Sequence, residues 1–175
     1  VTTPAPAPAG ARAWTLEPLR ADHAPALLDF ERRNRAYFAR TVPDRGDAYF
    51  TDFAARHHAL LAEQDTGLSR FHLLVTRGGA VAGRVNLVDI EDAGAELGYR
   101  IGESAAGRGL ATAAVAEICR IAQHTYGLTR LTAVTTLDNP GSLTVLRRNG
   151  FTRVEGMTLD GRPGIRHERP LTPAN

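Results

Sequence analysis

The chain has 175 residues, enough for one domain with a full core and too few for two ordinary ones. Its 43% hydrophobic and 23% charged residues exclude disordered, collagenous and coiled-coil classes, and a formal net charge of +2 is small for a nucleic-acid binder. No apolar run approaches the roughly 20 residues that cross a bilayer.

The Pro/Ala-rich segment Val1–Ala11 lacks the charged and apolar regions of a signal peptide. It is predicted to be a disordered tail ahead of a single domain over 12–175. Cys119 is the one cysteine, so no internal disulfide is possible and a reducing, cytoplasmic setting fits. No His/Cys/carboxylate set has zinc spacing, and no metal is expected.

In chain order, Ala13–Leu19 reads as a first strand. Asp22 offers an N-cap to a helix over Asp22–Ala39, with Leu27, Phe30, Asn34 and Phe38 at helical spacing. After the breaker Thr41–Gly46, Asp47 is predicted to cap a second helix with Phe50, Ala54 and Leu61 inward. The period then changes. Arg70–Thr76, Ala80–Ile90 and Ala95–Gly102 read as strands joined by Gly-rich turns too short for anything but antiparallel pairing. Gly109–Tyr126 is the clearest helix, with an apolar stripe through Leu110, Ala114, Val115, Ile118 and Ala122. Cys119 falls on its buried side. Leu128–Leu137 is a strand, reached through a helix and hence parallel to Ala95–Gly102. Pro140–Asn149 is a short helix. Phe151–Thr158 and Ile165–Leu171 flank Asp160–Gly164 as a closing hairpin. The order β-α-α-β-β-β-α-β-α-β-β implies an α/β (mixed α+β) fold: a central mixed sheet with helices on both faces.

The chemistry concentrates in Tyr99–Thr112, where a strand passes through Gly107-Arg-Gly109 into the strongest helix. A helix start leaves N–H groups unpaired and carries partial positive charge, and glycines let a phosphate approach that backbone. Arg108 adds a guanidinium. A P-loop needs a Lys, and this chain has none. A dinucleotide fingerprint needs Gly where Thr112 stands, in a βαβ unit the meander does not provide.

A third phosphate-binding pattern, Gln/Arg-x-x-Gly-x-Gly/Ala, is matched by Ala106-Gly-Arg-Gly109-Leu-Ala111 except at Ala106. Asn139-Pro-Gly-Ser142 opens a helix that ends in Asn149-Gly-Phe151. Glu96-Leu-Gly-Tyr-Arg-Ile101 precedes the loop, and Asn34-Arg35 with Pro43-x-Arg45 lie in the helical region. Together these stretches resemble the GNAT N-acetyltransferase superfamily, and more narrowly its RimJ/RimL-like branch, over roughly Thr15 to Leu171.

The resemblance implies acetyl-CoA as co-substrate, lying where two parallel strands splay, between Tyr99–Gly102 and Thr135–Leu137. It would be held by Ile101, Gly102, Gly107, Arg108, Gly109, Leu110, Ala111, Thr112 and Asn139. Attack by the amine would be direct, with no acyl-enzyme. Glu96 is the expected base. Ser142 is expected to assist the thiolate, since the family's Tyr position is Leu146 here. Asn34, Arg35 and Phe38 are expected to contact the acceptor. The acceptor is expected to be a protein or peptide N-terminus, with a small antibiotic or metabolite amine as the alternative. A catalytically silent acyl-CoA-binding regulatory domain is the reading from another class. No membrane or direct nucleic-acid partner is expected, and the chain would be a monomer or homodimer.

Overall fold

A computed structural model describes residues 13–171; the expected tail, Val1–Ala11, lies outside them. One seven-stranded sheet has the order β1-β2-β3-β4-β5-β7-β6. Its strands are β1 (Trp14–Pro18), β2 (Arg70–Thr76), β3 (Val81–Glu91), β4 (Gly94–Ile101), β5 (Arg130–Thr136), β6 (Thr152–Leu159) and β7 (Arg162–Pro170). Neighbours are antiparallel except β4 and β5. Helices α1 (Ala24–Phe38), α2 (Asp47–Thr51) and α3 (Phe53–Thr66) cover one face, and α4 (Leu110–His124) with α5 (Pro140–Arg148) the other. Among the described residues no helix is long and apolar enough to cross a membrane.

The alternation of strand side chains divides the core in two. Val85, Leu87, Leu97, Leu131 and Ala133 point toward Ala114, Val115 and Ile118 of α4. Phe71, Leu73 and Val75 point toward Leu27 and Phe30 of α1.

Several boundaries differ from the sequence expectation, each for a local reason. A 3-10 turn over Ala21–His23 takes up the start expected of α1, so Asp22 does not cap it. The second helix is broken at Asp52, whose φ of −97° and ψ of 17° leave the helical region. The carboxylate of Asp47 caps nothing; it binds Arg35 at 2.7 Å. The closing hairpin is tighter than expected. Asp160 and Gly161 both take positive φ (48° and 75°), the pairing a two-residue type I′ turn requires, so β7 begins at Arg162 rather than Ile165.

Candidate active site

Parallel pairing of β4 with β5 covers only Gly94–Glu96 against Arg130–Thr132. Beyond it, β4 stays with β3 through Ile101 and β5 stays with β7 through Thr136. The two strands therefore splay. The gap opens into a cavity of about 700 Å³ walled by β4, the loop before α4, the first turns of α4 and α5, and the end of α1.

Gly107, Gly109, Leu110, Ala111 and Thr112 all line this cavity, as do Ile101, Asn139 and Phe38. Gly107 and Gly109 hold φ of +72° and +75°, which only glycine adopts readily, and open space stands where a Cβ would be. Gly109 is the N-cap of α4 and no side chain caps that helix. Its first N–H groups thus face the cavity without an intrahelical acceptor, and the macrodipole adds positive charge there. These residues fit a pyrophosphate. Arg108 is exposed and Gly102 buried, and neither side chain position is a cavity wall. Gly102 packs against α1, where a Cβ would stand 3.0 Å from Phe30 and 3.2 Å from Asn34.

Ser142 is held from two sides. Asn139, the N-cap of α5, accepts from the Ser142 N–H at 3.1 Å. The Tyr99 hydroxyl lies 2.9 Å from Ser142 Oγ. Tyr99 reaches it from β4, pointing to the same face as Leu97 and Ile101. Burial pushes the Tyr99 phenol above its usual value, against the opposing hydrogen bond from Ser142. It therefore remains a proton donor at neutral pH. Sequence reading quoted Tyr99 without giving it a role. Leu146, at the position of the family's tyrosine, is core at 1% exposure.

The opposite face of β4 carries Glu96, Gly98 and Arg100. Glu96 is not a wall of the cavity that holds Ser142. It sits at the last paired position before the splay, and its carboxylate has no hydrogen bond or ion pair among the described residues. Gly98 is exposed, with nothing within 4 Å of an added Cβ, so no helix roofs the sheet there. Arg100 does not pair with Glu96. It lies 3.5 Å from Glu31 of α1 and 4.7 Å over the Phe38 ring.

Of the residues expected to contact an acceptor, Phe38 alone reaches the cavity. Asn34 spends its amide within the protein, donating to Phe30 O and accepting from Glu103 N at 2.8 Å. That clamps the loop before α4 onto α1. Arg35 binds Asp44 and Asp47, each at 2.7 Å, and lies over Phe50. Arg162, which the sequence did not single out, grips Asp138 with bonds of 2.6 and 2.7 Å and donates to Thr41 O at 3.0 Å. It ties the β6–β7 turn to both loops at the mouth of the cavity. Cys119 is buried and its thiol is pushed up by burial, so it is inert.

A splayed β4–β5 pair over an uncapped glycine-rich helix start defines an acyl-CoA-type transferase site. Residues 14–152 match the acetyltransferase (GNAT) domain, so the chain belongs to the GNAT acetyltransferases, a family of acetyl-CoA-dependent acyltransferases. No sequence among curated proteins matches it significantly. Solved structures are similar over nearly their full length. The ribosomal-protein-S5-alanine acetyltransferase from Vibrio fischeri superposes with a TM-score of 0.85 at 19% identity, covering 91% of this chain and 94% of that one. Mycobacterium smegmatis RimJ, in complex with CoA-disulfide, gives 0.80 at 22% identity, covering 89% and 80%. Spermidine N-acetyltransferase from Vibrio cholerae, in complex with CoA and spermine, gives 0.75 at 15%, covering 91% and 96%.

Proposed function

We propose that this acetyltransferase acts on the α-amine of a protein or peptide, with acetyl-CoA entering from the α4–α5 face and the amine from the α1 face. The observation that carries the reading is the splay itself. It places the uncapped α4 start and the Tyr99–Ser142 pair on one side of a gap whose other side is open at Gly98.

Acetyl-CoA supplies an activated acetyl thioester when bound. The backbone of Gly107–Thr112 binds its pyrophosphate, and Ile101 lines the path of its pantetheine. Tyr99 and Ser142 form a hydroxyl relay that delivers a proton to the departing sulfur. Glu96, free of any competing cation, takes the proton of the amine through water from the α1 face. An α-amine with pKa about 8 is roughly 10% neutral at pH 7, against well under 0.1% for a Lys side chain. One solvated carboxylate is therefore a sufficient base for the first and a poor one for the second.

An unroofed Gly98 suits an extended peptide better than a small amine, which needs a closed pocket to bury most of its surface. A thiol-release screen over peptides, polyamines and aminoglycosides tests the reading. Release with peptides at the highest kcat/KM is expected. Release with polyamines or aminoglycosides alone would overturn the peptide assignment, and release with none would point to a silent acyl-CoA-binding domain.

A further inference from the structure

The α1 face of the gap holds a charge imbalance. Glu31, 2% exposed, receives the Arg84 guanidinium at 2.6 Å, and Arg100 and Arg45 stand near it at 3.5 and 3.9 Å. A buried carboxylate needs one well-placed cation, and Arg84 meets that need. The other two form no hydrogen bond with Glu31. The Nε–H of Arg84, itself 4% exposed, has no acceptor at all.

Other nearby charges do not absorb the excess. Asp44 and Asp47 belong to Arg35. Tyr49 accepts only from Arg84, at 3.4 Å, and offers its ring to Arg45 at 4.5 Å. Arg40, on the cavity rim, stands against Glu103. Burial, then Arg45, lowers the Arg100 pKa to about 10, with Glu31 opposing and Arg84 adding to the fall. It remains a cation at neutral pH. Glu31 and the Phe38 ring offset only part of the cost of desolvating a second guanidinium beside a carboxylate that Arg84 already pairs.

Arg100 also lines the main cavity. It lies two residues along the same strand face from Gly98, about 7 Å at the rise of a strand. We propose that Arg100 and Arg45, gathered beside Glu31, bind a carboxylate of the acceptor, so that the acceptor is an acidic peptide and not a polyamine. This rests on the acetyl-acceptor reading above. A planar guanidinium takes a carboxylate in bidentate fashion. The same cations repel spermidine.

Binding separates this inference from the catalytic one. CoA conjugates bridged through an acetyl carbon to the α-amine of Ser-Glu-Ala, Ser-Gln-Ala or spermidine are titrated calorimetrically. The acidic conjugate is expected to bind about tenfold tighter than the neutral one, the scale of one charge-assisted hydrogen bond. The spermidine conjugate should be weakest. Arg100→Gln should abolish the difference between the two peptides. Arg45→Gln, whose side chain is 32% exposed and so does not endanger folding, should reduce it. Equal binding of acidic and neutral conjugates, or tightest binding of the spermidine conjugate, overturns the inference. A preference for the acidic conjugate with no thiol release from any free amine would keep it and overturn the catalytic reading instead.

Discussion

The Tyr99 hydroxyl and Ser142 Oγ stand 2.9 Å apart although β4 and α5 approach each other only across the gap. Each is polar and half-buried, and each uses the other as its side-chain partner. Such a pair costs little to keep in a half-buried cavity wall, and the proposed relay has it pass a proton once a thiolate forms beside it. Tyr99→Phe and Ser142→Ala should each lower kcat by about 10²-fold, the low end for a positioned acid, with a smaller change in KM for acetyl-CoA. The double variant should lose little more than either single one, since the proposed relay needs both hydroxyls. Additive losses, measured where chemistry limits the rate, would separate the two hydroxyls. Burial raises the phenol above its usual value, so no fall in rate from this pair is expected around neutral pH.

Gly109→Ala tests the phosphate cradle. At φ of +75° any L-residue is strained, by roughly 1–2 kcal/mol. That corresponds to about 2–8 °C in Tm for a chain of this size. The new methyl meets no protein atom within 4 Å, so any further effect falls on the ligand. Affinity for CoA should drop by about tenfold or more, read by calorimetry. Unchanged affinity would place the pyrophosphate elsewhere.

Glu96→Gln keeps the shape of the side chain and removes the proposed base. The rate loss expected is about 10²–10⁴-fold at neutral pH. It should shrink as pH rises from 6 to 10, because the amine then deprotonates unaided. Parallel rate–pH profiles for the two proteins would move Glu96 from proton transfer to orienting the acceptor.

How much of this was legible in the sequence depended on range. The meander, the α4 stripe and the Gly107–Gly109 loop are local patterns, and the structure places each within a few residues of its expected bounds. Partnerships across the chain were not legible. Tyr99 with Ser142, Arg84 with Glu31, and Arg162 with Thr41 are 43, 53 and 121 residues apart. No spacing rule points from one to the other. Asn34 and Arg35 show the same limit of range: motif position suggested an acceptor, and the structure adds tertiary partners for both side chains that no local pattern indicated. Arg45 and Arg100 meet only in space, where α1 lays Glu31 beside both.

His72 supplies a stability prediction apart from the site. Its ring is buried against Tyr126, with Nε2 2.6 Å from the hydroxyl, and burial lowers its pKa from 6.5 to about 4. Because the folded value is depressed, the neutral ring contributes stability that is present above pH 6.5 and is lost as pH falls toward 4. The contribution is about 3 kcal/mol. Thermal unfolding of His72→Gln should start from a lower Tm at pH 7.5 and depend less on pH between 6.5 and 5 than the parent. Identical slopes over that interval would show that another group carries the acid response.

Direct transfer across the β4–β5 gap is the central claim, and one single-turnover measurement addresses it. Enzyme in excess is mixed with acetyl-CoA and a peptide bearing a free N-terminus and an internal Lys, and both peptide and enzyme are weighed by mass spectrometry over time. The account predicts one acetyl group on the peptide α-amine, released CoA in equal amount, and an unmodified enzyme at every time point. An acetyl group on Ser142 or Cys119 before it reaches the peptide, or acetylation of the Lys alone, would contradict it.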